Sequence, residues 1–183
     1  RINSSLLNLV PGDRVKLEVN IGEGNPVTAE TTLISKPTSS FPRSGSPVAF
    51  SPSLGDNFKW NHVGNFPGSI FNLRAVIHYT EVSAGVATQK SLVWDIAKNI
   101  SKENFLASPG EFYSYLGSSL AKSTSTTRFF DGLDYFIYCG DENLAEFLTI
   151  GQANTGITGS GELPVYSNLS RGLGIFGSKA QLS

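Results

Sequence analysis

Residues able to do chemistry are sparse in this chain. Its single cysteine, Cys139, closes the apolar run Tyr135-Phe136-Ile137-Tyr138-Cys139, and the only histidines are His62 and His78. A thiol nucleophile needs a base held beside it, and tetrahedral zinc needs Cys and His at short spacings. One Cys and two separated His make neither pattern, so Cys139 reads as a small core residue. Asp131, Asp134, Asp141 and Glu142 form a modest acidic cluster. The stretch Asp131-Gly132-Leu133-Asp134 lacks the further oxygen ligands of a calcium loop, and solvated turn residues are the expectation. No metal site is predicted.

Nucleophile and phosphate-loop patterns fare no better. Gly159-Ser160-Gly161 lies in a polar loop without the strained Gly-x-Ser-x-Gly turn that exposes a catalytic serine. Gly172-Leu173-Gly174-Ile175-Phe176-Gly177 has the letters of a dinucleotide loop, but no clear strand precedes it and no helix opens from it. No cofactor is expected, and the chain reads as a non-enzyme. A hydrolase whose carboxylates, or whose His and Ser, meet only in space stays open as an alternative.

Aromatic side chains are the remaining candidates. They make up 11% of the chain, with 12 Phe, 6 Tyr and 2 Trp. Exposed rings on a β surface bind sugars by covering the apolar face of the ring, and Trp60, Trp94 and Tyr166 are the candidate ligand-binding residues. Strand alternation would place both Trp in a core equally well. The formal net charge is -1, from 14 basic and 15 acidic residues. No basic stripe for nucleic acid and no polybasic membrane patch accompanies it.

The elements that must position these residues are mostly strands. Val15, Leu17, Val19 and Ile21 alternate with Arg14, Lys16, Glu18 and Asn20, which predicts a half-buried strand over 13–21. A second strand over 27–34 follows the turn cluster Gly22–Pro26 and completes a hairpin. Residues 35–57 carry Pro37, Pro42, Pro47 and Pro52 among Ser and Gly. Proline is excluded from central strands, so this stretch is a candidate domain boundary. Phe58, Trp60 and His62 suggest a short strand, 69–82 a long one, and 86–95 its return across Ser83-Ala84-Gly85. Ser108, Pro109 and Glu111 form a capping box with proline in the first turn, which predicts a helix over 109–121. Residues 127–139 read as a strand pair or one bent strand around Asp131-Gly132. Residues 144–150 are ambiguous: Asp141 could cap a helix, whereas Leu148-Thr149-Ile150 favours a strand. The expected fold is mainly β, a β-sandwich or barrel-like architecture, with one short α-helix.

Charged residues are 16% of the chain, below the usual ~25%, and Gly, Ser, Thr and Asn make up the difference. Polar uncharged surfaces of this kind suit an exported protein. No stretch nears the ~20 apolar residues of a membrane-spanning helix. The chain contains no Met and opens at Arg1, which points to processing or truncation.

The C-terminal run Leu163-Pro164-Val165-Tyr166-Ser167-Asn168-Leu169-Ser170-Arg171-Gly172-Leu173-Gly174-Ile175-Phe176-Gly177-Ser178-Lys179 resembles the closing motif of an uncharacterised family of lipoproteins exported by Bacteroides-type bacteria. In that motif a Tyr-Thr-Asn-Ile stretch runs into Gly-Leu-Gly-Ile-Phe and a small-basic pair. Here Ser167 replaces the usual Thr and Lys179 the usual Arg. Asn143–Leu148 also fits the pattern upstream, and the likeness covers residues 127–179. The resemblance implies a lipid-anchored N-terminus, an immunoglobulin-like β-domain and a second β-rich domain. On that layout, residues 1–36 hold the terminal hairpin of the immunoglobulin-like domain, and residues 46–183 form the β-rich domain with its helix. The implied location is the outer membrane or cell surface, reached by export, or the periplasm. The only membrane link would be an N-terminal lipid anchor ahead of Arg1. The resulting expectation is a non-catalytic cell-envelope protein that binds a glycan, peptide or protein partner near an outer-membrane transporter. A structural or adhesive surface module is the alternative, followed by the hydrolase.

Overall fold

The computed structural model describes residues 7–22, 24–39, 45, 58–61, 69–101, 104–154 and 165–182, with the backbone alone at 58–61, 104 and 152–154. The serine of Gly159-Ser160-Gly161, His62 and most of the proline-rich 40–57 stretch fall outside those residues.

The hairpin predicted first is present. β1 (Arg14–Val19) pairs antiparallel with β2 (Val27–Thr32) as a two-stranded sheet, with Leu17 opposite Ala29. A second small sheet pairs β3 (Phe58–Asn61) with β6 (Asn104–Ala107). The body is a four-stranded sheet in the order β5-β4-β7-β8, formed by β4 (Ile70–Ser83), β5 (Val86–Ile100), β7 (Thr126–Gly140) and β8 (Lys179–Leu182), all paired antiparallel.

β4 is the organising strand, because its alternation separates two faces. Phe71, Leu73, Ala75 and Ile77 are buried on one side and pack with Trp94 of β5 and Ile137 and Cys139 of β7. α1 (Pro109–Ser119) covers this side. Its capping box forms as expected: the Glu111 N–H donates to Ser108 Oγ, and the Ser108 N–H donates to Glu111 Oε2 at 2.6 Å. Phe112 of α1 is buried, with Trp94 5.6 Å away between ring centroids, and Tyr115 stacks on Trp94 at 5.8 Å.

The mainly β expectation therefore holds, with three corrections. First, among the described residues the main sheet is open, with β5 and β8 at its edges, and its core face is covered by α1 together with Phe105 and Ala107 of β6 and Ile34 beyond β2. Second, there are two helices among the described residues: the ambiguous stretch is α2 (Glu142–Asn154). Asp141 caps it, Oδ1 accepting from the Leu144 N–H at 3.0 Å, and this outweighs the strand preference of Leu148-Thr149-Ile150. Third, 127–139 is one strand with a bulge: His78 pairs with Gly132 and Tyr79 with Phe130, so Asp131 is the extra residue.

Candidate functional site

The sequence candidates separate in space. Trp94 is 7% exposed, and Phe112 and Tyr115 lie against its ring. It is a core residue with no face left for a sugar, and the ligand-binding expectation for it is corrected. Trp60 lies in β3 opposite Phe105, and its side chain falls outside the described residues. Tyr166 is half-buried and donates its hydroxyl to Asn143 Oδ1 at 2.8 Å. Burial, then the carboxylates of Glu146, Glu142 and Asp141, hold its phenol above the ordinary tyrosine value. Tyr166 therefore serves a structural clasp.

That clasp joins the β1–β2 hairpin, the N-terminus of α2 and the C-terminal motif. Asn168 donates to the carbonyls of Phe176 at 2.8 Å and Glu30 at 3.1 Å, and its Oδ1 accepts from the Phe176 N–H at 2.8 Å. Asn143 donates to the same two carbonyls at 3.2 and 2.9 Å. Asp141 is buried, and its Oδ2 accepts from the Thr31 hydroxyl and from the Ser178 N–H at 2.9 Å. A Cβ on Gly177 would lie 2.9 Å from Asp141 Oδ1, which explains the glycine there. Extended chain and bends lead from this motif into β8, with no helix following, so the Gly-x-Gly-x-x-Gly letters build a tight strap. A cleft of about 280 Å³ sits beside the clasp between Arg14, Glu30 and Glu142. Within it Arg14 is paired with Glu30 at 2.9 Å.

The sheet face opposite the core carries the most ligand-like chemistry. Phe136 and Tyr138 both point there, since Ile137 and Cys139 point into the core. Their rings lie near-parallel, 16° apart with centroids 6.3 Å apart. Arg74 lies opposite Phe136 and Asn72 opposite Tyr138. Two ion pairs lie here, Arg74 with Asp95 at 2.6 Å and Lys98 with Asp95 at 2.9 Å, and His78 Nε2 is hydrogen-bonded with Asp134 Oδ2 at 2.8 Å. Hydrogen bonds from Arg74, then Lys98, hold the Asp95 carboxyl below the ordinary carboxylate range. Lys179 sits over the Tyr138 ring, 4.8 Å from its centroid. Sequence reading missed this pair because the run 135–139 looks uniformly apolar. The signal was the period of two, which sends positions 136 and 138 away from 137 and 139.

Other chemistry is weaker. Ser91, His78 and Asp134 lie on three adjacent strands, Ser91 directly opposite His78. No hydrogen bond joins Ser91 to His78, and the trio is solvent-facing, with Ser91 exposed and the His78 and Asp134 side chains 42% and 64% exposed. Asp131 accepts from Thr80 at 2.7 Å. It is mid-strand, whereas Asp141 and Glu142 follow the strand's end, so the acidic cluster of the sequence disperses. Among the described residues no group of three or more His, Cys, Asp or Glu could hold a metal. Cys139 is buried, and desolvation pushes its thiol up to about 11.

No helix among the described residues is long and apolar enough to cross a membrane. No protein-family model matches the chain, and no match was found among curated proteins or solved structures.

Proposed function

We propose that this chain is a non-catalytic binding protein of the cell envelope that takes a neutral glycan on the outer face of its main sheet. The observation supporting this most directly is the Phe136–Tyr138 pair on the half-exposed face, flanked by the Arg74–Asp95 ion pair and the His78–Asp134 hydrogen bond. An ionic ligand would compete with these contacts, and the Lys179 ammonium is already seated on the Tyr138 ring. A neutral, hydroxyl-rich ligand can cover the rings with its apolar C–H surface and bond to Asn72, Gln181 and the rims of the ion pairs, leaving the pairs intact. The aromatic pair also weighs against a purely structural or adhesive module, for which a ring-free surface is the natural design. An envelope location beside an outer-membrane transporter rests on the resemblance of the C-terminal motif.

The Ser91–His78–Asp134 line supports the hydrolase as a second reading, but the missing Ser–His hydrogen bond and the solvent exposure of the three side chains favour binding without turnover.

Affinity electrophoresis and titration against a panel of neutral polysaccharides test the proposal. Phe136→Ala and Tyr138→Ala should each weaken binding at least about tenfold, which is ~1.4 kcal/mol, while leaving the far-ultraviolet spectrum unchanged. Undiminished binding by the double variant refutes the site. Release of product from the polysaccharide refutes the non-catalytic reading.

A further inference from the structure

Among the described residues β5 is an edge strand, and the half of it nearest the β4–β5 turn is open. The turn has two residues, Ala84 and Gly85, both with positive φ, at 50° and 78°, and Ser83 pairs with Val86. In such a hairpin Val86, Thr88, Lys90 and Leu92 point their backbone groups at β4, and Ala87, Gln89, Ser91 and Val93 point theirs away. The Tyr115 hydroxyl confirms this phase, since it donates to the outward carbonyl of Val93 at 2.7 Å. Tyr115 thereby closes the edge at Val93, and the turn closes it at Gly85. Between these ends every residue from Val86 to Ser91 is exposed.

Natural edge strands are usually protected by bulges, proline or inward charge. β5 has its irregularities only at the other end, opposite Phe71–Arg74, where Asn99 also has a positive φ of 53°. The open half has a regular register and no proline. Its one charge, Lys90, is committed to Glu81.

We propose that this open edge pairs with the same edge of a second copy, β5 antiparallel to β5 about a two-fold axis through Gln89. Gln89 is the midpoint between the turn and Tyr115, so this register uses the whole open stretch on both copies. Ala87 faces Ser91 of the second copy, and Gln89 faces Gln89. These are the outward positions, so each pair exchanges two backbone hydrogen bonds. On the α1 side Val86, 65% exposed, lies against Leu92 of the second copy, and Thr88 against Lys90. No like charges meet. A two-fold through Lys90 would oppose two lysines, and one through Ser91 would drive Gln89 against the edge that Tyr115 closes. The product is a continuous eight-stranded sheet. This inference stands independently of the ligand reading.

Sedimentation equilibrium of the full chain, at up to about 100 µM, should show a concentration-dependent dimer. Gln89→Pro removes the central outward N–H without touching the β4 ladder and should raise the dimer dissociation constant at least about tenfold, with an unchanged far-ultraviolet spectrum. Gln89→Cys should form a disulfide-linked dimer on mild oxidation. Its two Cα atoms would be about 5.5 Å apart, within disulfide reach, and the buried Cys139 would not compete. Ser91→Cys should not cross-link, because four strand steps of about 3.4 Å separate the two sites. A monomer at every concentration, a dimer that survives Gln89→Pro, or cross-linking at Ser91→Cys in preference to Gln89→Cys overturns the proposal. A chain that stays monomeric while binding extended peptides along this edge overturns it as well.

Discussion

Asp141→Ala should be among the most destabilising substitutions available at the surface-facing end of this fold. Asp141 is 4% exposed and has three donors: the Leu144 N–H, the Ser178 N–H and the Thr31 hydroxyl. Losing the first removes the cap of α2, which typically costs about 0.5–2 kcal/mol. Losing the second strands a buried N–H, since Ser178 is 8% exposed, at about 1–3 kcal/mol. Thr31, 6% exposed, loses a charge-assisted partner at a similar cost. These terms share one carboxylate and do not add fully, so the expected total is about 3 kcal/mol. For a chain of this length that lowers Tm by roughly 6–12 °C. Urea denaturation gives the free energy, and a thermal melt gives Tm. Glu142→Ala, next door but exposed, serves as the control and should stay within about 0.5 kcal/mol of the parent. A loss below about 1 kcal/mol for Asp141→Ala would mean that the hairpin and strap are not held by this carboxylate, and the clasp argument would fall.

Two further outcomes follow from the same geometry. Phe176 is only partly buried, and its contribution lies in its backbone, so Phe176→Ala should cost less than the ~3–5 kcal/mol of a buried Phe. Asn168→Ala, which frees both the N–H and the C=O of Phe176, should cost more than Phe176→Ala in paired urea titrations. For Glu81, hydrogen bonds from Lys90, then Arg128, hold the carboxyl below the ordinary carboxylate range. A depressed folded value stabilises above that range and is lost as pH falls through it. The stability gap between the parent and Glu81→Gln should therefore be present at pH 7 and close as pH drops below about 4.

The long elements were legible because each rests on a local signal. The alternation at 13–21 and 69–82 and the Ser108-Pro109-Glu111 box needed no tertiary partner to be recognised. β7 was legible in position but not in detail. Whether Asp131-Gly132 turned the chain or bulged it depended on whether β4 ran past it, and β4 does. The helix at 142–154 was obscured because Leu148-Thr149-Ile150 carries β-branched residues, while the deciding bonds come from Asp141, which also binds Thr31, 110 residues earlier in the chain.

The C-terminal motif poses the same difficulty. Apolar letters such as these suit a buried anchor, yet Leu173 is 76% and Val165 57% exposed. The strap runs as irregular extended chain between a hairpin and a helix end, so its backbone groups have no ladder to join. They still need partners where they pass close to other backbone. Asn can donate and accept at once from one planar group. Asn168 does so toward Phe176, and Asn143 and Asn168 both reach the Glu30 carbonyl. An apolar anchor could have filled the space but would have left those carbonyls and N–H groups unpaired, at about 1–3 kcal/mol each where buried. The asparagines are thus the informative letters of the motif. The glycines, at Gly177 against Asp141 and at Gly174 against Leu169, only allow the strap to come close enough for the asparagines to act.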